Sequence, residues 1–182
     1  MEKKYEFTGE TKVIDNVVLH RIKAARDFAD VKAGDVGGWI EKEENLSHGG
    51  NAWVYGNARV YGNARVSGDA WVCGNAWVCG NARVCGNARV CGNACVSGDA
   101  WVSSSRHLLQ IGGIGSRDGV TTFYRAKDNS IDVTCGCFSG TIDDFEKQVQ
   151  KVHADDKHGR VYALAIAMAR EQIELDKEAE DE

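Results

Sequence analysis

Nine copies of Gly-(Asn/Asp)-Ala-x-Val begin at Gly50, Gly56, Gly62, Gly68, Gly74, Gly80, Gly86, Gly92 and Gly98, with no break in the six-residue spacing. A period of six fits no single face of a 3.6-residue helix, and a Gly-Asn or Gly-Asp pair in every unit would break one. Within a unit, Ala-x-Val alternates as a strand does, so Ala and Val share one side and the residue between them takes the other. The Gly-Asn or Gly-Asp pair supplies a corner, because both residues tolerate left-handed backbone angles. Short strands joined by regular corners force the chain to coil about an axis, with Ala and Val inside.

This spacing resembles the hexapeptide-repeat, left-handed parallel β-helix family, with an aliphatic residue every sixth position and a small one two before it. The resemblance implies three units per triangular coil and residues 18 apart stacked on one another. Nine units then give three coils, a prism about 15 Å tall at the usual strand spacing. The preceding segment, Asp35-Val-Gly-Gly-Trp39-Ile-Glu-Lys-Glu-Glu-Asn45-Leu-Ser-His48, resembles the lead-in of YdcK-like and phage or prophage hexapeptide proteins. Ile40 and Leu46 are six apart and predict a less regular first coil. The open ends of such a prism need caps, and the alternation over Tyr5–Gly9 and Val13–Ile22 predicts strands that provide one. The resemblance covers about residues 17–103 and is specific for fold rather than activity.

Beyond Ser103 the repeat stops. Leu108–Ile114, Thr121–Ala126 and Ile131–Phe138 read as three strands between Gly-rich or Asp-Asn-Ser turns. Thr141-Ile-Asp-Asp144 resembles a capping box that opens a helix burying Phe145, Val149 and Val152. A second helix from about Gly159 carries Val161, Leu164, Ala165, Met168 and Gln172 on one stripe, widened by Ile166 and Ile173. The expected fold is mainly β. It has an N-terminal β cap (1–34), a left-handed parallel β-helix of three to four coils (35–103), and a small C-terminal βββαα domain with an acidic tail (104–182).

The outward residues of the nine units are Trp53, Arg59, Arg65, Trp71, Trp77, Arg83, Arg89, Cys95 and Trp101. Stacked at 18 they form the columns Trp53–Trp71–Arg89, Arg59–Trp77–Cys95 and Arg65–Arg83–Trp101. Large aromatic side chains on a solvent-facing sheet call for a covering, and Trp and Arg are the residues of binding hot spots. Two coverings are open. One is a sister subunit, since the resemblance implies trimers packed side to side. The other is a ligand with a flat ring and a phosphate, because Trp stacks rings and Arg forks onto phosphate. The candidate ligand residues are Arg59, Arg65, Trp71, Trp77, Arg83, Arg89 and Trp101. The polar turn Ser116-Arg117-Asp118 and nearby Arg125 add an anion-binding candidate, with a solvated hairpin as the alternative.

The chain has 22 Lys+Arg against 27 Asp+Glu, so bulk charge argues against long nucleic acid as a partner and against a membrane surface. The repeat block alone is net positive, with 4 Arg against 2 Asp in residues 50–103. The start, MEKKYEFTGE, lacks the apolar run of a signal peptide, and no stretch has the roughly 18 apolar residues of a membrane helix. The expected location is the cytoplasm of a bacterial host cell, where thiols stay reduced. The seven Cys are an odd number. Cys73 and Cys91 share a column, but stacked Cβ atoms about 4.8 Å apart exceed the usual disulfide window. Four of the seven therefore read as fillers at one repeat position, interchangeable with Ser and Tyr.

The resemblance implies acyl transfer from acyl-CoA with a His base, or zinc-dependent hydration of carbon dioxide with three His across a trimer interface. Neither finds its residues within the nine units. The one candidate base beside the first coil is His48, where Leu46 to Val54 is two residues longer than the repeat. A polar His in a small bulge is the alternative. In the C-terminal part, Cys135, Cys137, His153 and His158 are candidate zinc ligands, although Cys-x-Cys is tighter than the usual spacing. No cofactor is expected. The leading expectation is a non-enzymatic, phage- or prophage-type trimer that binds a nucleotide-like ligand or a host protein, with host-defence inhibition as its role. An acyl-CoA-dependent acyltransferase and a structural trimerisation stem are the alternatives.

Overall fold

The computed structural model describes residues 3–176. The chain divides into two compact units, one running to Ser105 and the other starting at Arg106.

The first unit is a β-solenoid of about four turns. It opens with a hairpin, β1 (Tyr5–Ile14) and β2 (Val17–Ala24), turned by Asp15 and Asn16 at positive φ. β3 (Val36–Ile40) follows, antiparallel to β2. Nine two-residue strands then mark the repeat: β4 (Trp53–Val54), β5 (Arg59–Val60), β6 (Arg65–Val66), β7 (Trp71–Val72), β8 (Trp77–Val78), β9 (Arg83–Val84), β10 (Arg89–Val90), β11 (Cys95–Val96) and β12 (Trp101–Val102). They stack in parallel on three faces, β5-β8-β11, β4-β7-β10 and β6-β9-β12; the first continues through parallel β3 into antiparallel β2 and β1, making a six-stranded sheet. The register is the 18-residue step expected, with Trp71 beside both Trp53 and Arg89, and Arg83 beside both Arg65 and Trp101.

Every repeat Ala and Val is buried, at 0–1% exposure. Each corner Gly has φ between +57° and +69°. The corners are laced by side-chain amides one coil apart: Asn51 to Asp69 (2.9 Å), Asn63 to Asn81 (3.2 Å), Asn75 to Asn93 (3.2 Å) and Asn81 to Asp99 (3.0 Å). The irregular first coil is present. Ile40 pairs with Val60 and Leu46 bridges Val66, both 20 residues on rather than 18. Fully buried Asn45 donates to the carbonyls of Gly62 and Ala64, which holds this longer turn to the next.

The hairpin and the segment before it close this end. Lys4 is fully buried and its Nζ donates to the Ala52 carbonyl at 2.7 Å. Burial, helped by the nearby Arg26 charge, lowers its pKa to about 8. Tyr5 Oη donates to the Glu43 and Leu46 carbonyls. Trp53, expected on an outward face, is instead 1% exposed, packed edge-on against Tyr5, Phe28 and Tyr55. Its column starts at the capped end, so the cap lies over it.

One cysteine expectation is overturned. Cys73 and Cys91 form a disulfide, with Cα atoms 4.5 Å apart. That spacing lies within the Cα range disulfides adopt; comparing strand spacing with the Cβ window had placed the stacked pair too far apart. Cys79, Cys85, Cys95, Cys135 and Cys137 are free thiols.

The second unit has four strands, not three: β13 (Leu108–Ile114), β14 (Gly119–Arg125), β15 (Ile131–Cys135) and β16 (Phe138–Thr141), in that order in one antiparallel sheet. The span read as one strand over Ile131–Phe138 turns back at Gly136, whose φ is +59°, so Cys135 pairs with Phe138. Two helices follow, α1 (Ile142–His153) and α2 (Lys157–Gln172). Thr141 caps α1 by accepting from the Asp144 N–H, and Asp156 caps α2 by accepting from the Gly159 N–H. The core joins Phe123, Val133, Phe145, Tyr162, Ile166 and Ala169, among others. α2 turns inward Ala165, Ile166 and Ile173 of its expected stripe but not Leu164 or Met168. Tyr162, Ala165, Ile166, Ala169 and Ile173 are buried, whereas Leu164 and Met168, and Val152 on α1, are exposed. The helix has two apolar stripes, and the one carrying Tyr162 meets the sheet.

Candidate functional site

On the β6-β9-β12 face, three outward residues stack as Arg65, Arg83 and Trp101. Two arginines directly opposite each other repel, which is destabilising for a cross-strand pair. Neither forms an ion pair among the described residues. The Arg83 guanidinium sits 5.7 Å from the Trp101 ring centre. These residues line a groove of 510 Å³, whose wall at the capped end is Glu43, Glu44, Ser47 and His48. Those four wall residues come from the irregular first coil, because Leu46 occupies the rung before Val66. The two-residue insertion after Leu46 pushes His48 outward to the groove rim.

His48 is tightly held. Its ring stacks on Tyr5 at 4.4 Å between centres. The Lys4 N–H donates to Nδ1 at 3.1 Å, which leaves the proton of the neutral ring on Nε2. That nitrogen is buried, lacks a hydrogen-bond partner and stands 3.8 Å from Glu43 Oε2. Glu43 in turn pairs with Lys3 at 2.6 Å, which holds its carboxyl below the usual range.

The other candidates lie elsewhere. Arg59 and Trp77 are on the six-stranded face, with Arg59 4.8 Å from the Trp77 ring centre. Trp71 and Arg89 are on the third, 5.0 Å apart by the same measure. The seven prism residues therefore lie on three faces, as their columns led us to expect. In the second unit, Arg117 sits at the β13–β14 turn and Arg125 at the far end of β14. Seven extended residues span about 20 Å, so the two do not share a site. Arg125 is buried and bonds Asp176 at 2.7 Å.

Arg117 lines a separate cleft of 270 Å³ with Cys135, Cys137, His153 and Tyr162. Thr121 donates to Cys135 Sγ (3.1 Å), which also contacts the Tyr162 hydroxyl (3.5 Å). His153 faces Asp156 at 3.3 Å, and its ring lies 5.6 Å from that of His158. Burial, then the Cys135 contact, pushes the Tyr162 phenol up. Among the described residues no three His, Cys, Asp or Glu converge as metal ligands. The turn at Gly136 is the reason that Cys135 is half-buried and Cys137 exposed, so the proposed Cys–Cys–His–His set is not assembled.

The profile described as "YdcK Beta solenoid repeat" matches residues 52–68, 58–74 and 88–104. The repeat block matches a YdcK-like β-solenoid. A curated relative, "Uncharacterized acetyltransferase YdcK" of Escherichia coli (strain K12), is 52% identical over 40 residues. That stretch is 22% of this chain and 12% of the relative, so this chain matches only a small part of the relative's length. No helix among the described residues is long and apolar enough to cross a membrane.

Glu43, Glu44 and Ser47 were missing from the sequence-derived set. The signal was there in the Leu46-to-Val54 insertion, which fixes where the chain leaves the regular coil.

Proposed function

We propose that this protein is a ligand-binding β-solenoid whose β6-β9-β12 groove takes an anionic, ring-bearing molecule of nucleotide type. The observation that carries the reading is the stack of two unpaired arginines and a half-buried Trp within one groove. A phosphate bridging Arg65 and Arg83 relieves their repulsion and uses their forked donors, and a ring laid on Trp101 gains stacking area. On this reading the protein holds or sequesters its ligand and does not transform it.

Acyl transfer is the second reading. It is favoured by the place of His48 in the same groove and by the name of the relative that is 52% identical over 40 residues of this chain. Against it stands the tautomer. With Nδ1 engaged by the Lys4 N–H, Nε2 carries the proton and has no lone pair to act as a base.

A thermal-shift series with nucleoside mono-, di- and triphosphates, cyclic nucleotides and acetyl-CoA separates the two. Binding is expected with at least one nucleotide, reduced at least tenfold by Arg65→Ala or Arg83→Ala, with no acetyl-CoA turnover. Turnover of acetyl-CoA that is lost in His48→Ala would replace the binding reading by the enzymatic one.

A further inference from the structure

The six-stranded face carries a second cluster of cations. Its outward residues stand directly opposite one another on successive strands: Arg21 on β2, Trp39 on β3, Arg59 on β5 and Trp77 on β8. Lys12 on β1 places its Nζ 4.0 Å from the centre of the Trp39 ring, and the Arg21 guanidinium lies 5.0 Å from the same ring. Two cations thus sit on one indole that is itself 6% exposed, and a third, Arg59, stands on the next rung with its guanidinium over Trp77.

Two observations make this more than a basic patch. First, none of Lys12, Arg21 and Arg59 forms an ion pair among the described residues. The charges feel one another: burial first, then Arg59 and Arg21, bring the Lys12 pKa down to about 8 against a smaller opposing pull from Glu10. Second, three buried N–H donors in adjacent rungs have no acceptor: Arg21 Nε, Trp39 Nε1 and Arg59 Nε. A buried donor without a partner costs about 1–3 kcal/mol, and three together in one ladder call for a common acceptor. The acceptor must bring several oxygens and more than one negative charge, since a single carboxylate leaves most of the cationic charge unanswered. A phosphoryl group meets both requirements.

We propose that Lys12, Arg21, Arg59 and the indole N–H of Trp39 form a binding site for a phosphoryl group, carried as inorganic phosphate or as a phosphate ester. The site is on a different face from the Arg65–Arg83–Trp101 groove and stands whether or not that groove binds a nucleotide.

The test uses the full chain, 15N-labelled on tryptophan, titrated with inorganic phosphate, with adenosine monophosphate, and with sodium chloride at matched ionic strength. The Trp39 indole signal, assigned by its loss in Trp39→Phe, is expected to shift saturably with phosphate and not with chloride. Read at the Trp39 signal, Arg21→Gln and Arg59→Gln are each expected to weaken phosphate binding about tenfold, the loss of one charge-assisted contact, while Lys147→Gln on α1 leaves it unchanged. Equal affinity for phosphate and the monophosphate identifies the free ion as ligand; tenfold tighter binding of the monophosphate identifies an ester. A Trp39 signal that moves no further with phosphate than with chloride overturns the proposal. So does a phosphate-dependent Trp39 shift that keeps its affinity in the folded Arg21→Gln/Arg59→Gln double variant.

Discussion

Each outward Trp of the regular coils is partly covered by an arginine one rung away: Arg59 over Trp77, Arg89 over Trp71 and Arg83 over Trp101. Such contacts contribute about 0.5–1 kcal/mol each at exposed sites, and they are a third way to shield an aromatic face, beside a subunit or a ligand. The corner glycines differ more than their identical φ angles suggest. A Cβ on Gly86 would meet the Ser103 carbonyl oxygen at 2.1 Å, while one on Gly56 would find its nearest atom at 3.6 Å. Gly56→Ala therefore carries only the left-handed backbone penalty, about 1–2 kcal/mol. Gly86→Ala adds a clash with backbone that cannot move aside. Urea melts should show Gly86→Ala losing at least twice the stability that Gly56→Ala loses; equal losses would mean the last coil yields freely. The repeat made the outward set legible, because parity and period fix which residue faces out. It did not show which neighbour a long side chain lies upon, since that depends on rotamers rather than register.

At the scale of elements, the 18-residue step was legible and the departures from it were not all so. The columns follow from the unbroken spacing, and the first coil from Ile40 and Leu46. The split of the third C-terminal strand was hidden, because Cys-Gly-Cys-Phe reads as a continuing strand unless Gly136 is given a positive φ. The helix stripe was ambiguous for a simpler reason: α2 is apolar on two sides, and only the partner sheet selects one. The Cys73–Cys91 bond ties two coils of the prism at a sequence separation of 18. By loop-closure entropy a crosslink of this span stabilises by about 3 kcal/mol. Thiol titration of the unreduced, denatured chain should therefore count five free cysteines, matching Cys79, Cys85, Cys95, Cys135 and Cys137. Cys73→Ser should lower the urea midpoint in proportion. Seven titrating thiols would show the column unlinked.

At the scale of the whole molecule, the candidate sites sort by unit, with the Arg/Trp faces in the first and the Cys135–Tyr162 cleft in the second. Each unit also has its own interior. The Ala/Val column fills the solenoid, and the second core draws only on residues from Phe123 to Ile173, with partly buried partners from Leu109 on. A segment with its own core and caps at both helix starts is equipped to fold alone. A fragment beginning at Arg106 is thus expected to give a helical circular-dichroism spectrum and a cooperative melt. Its midpoint should match one of two transitions in the full chain, within a few degrees. The solenoid fragment ending at Ser105 should keep the other transition and, with it, the phosphate response of the Arg21–Trp39–Arg59 ladder. A fragment from Arg106 that stays unfolded would show that its core needs the solenoid, and it would make a stem-and-cargo division of labour untenable.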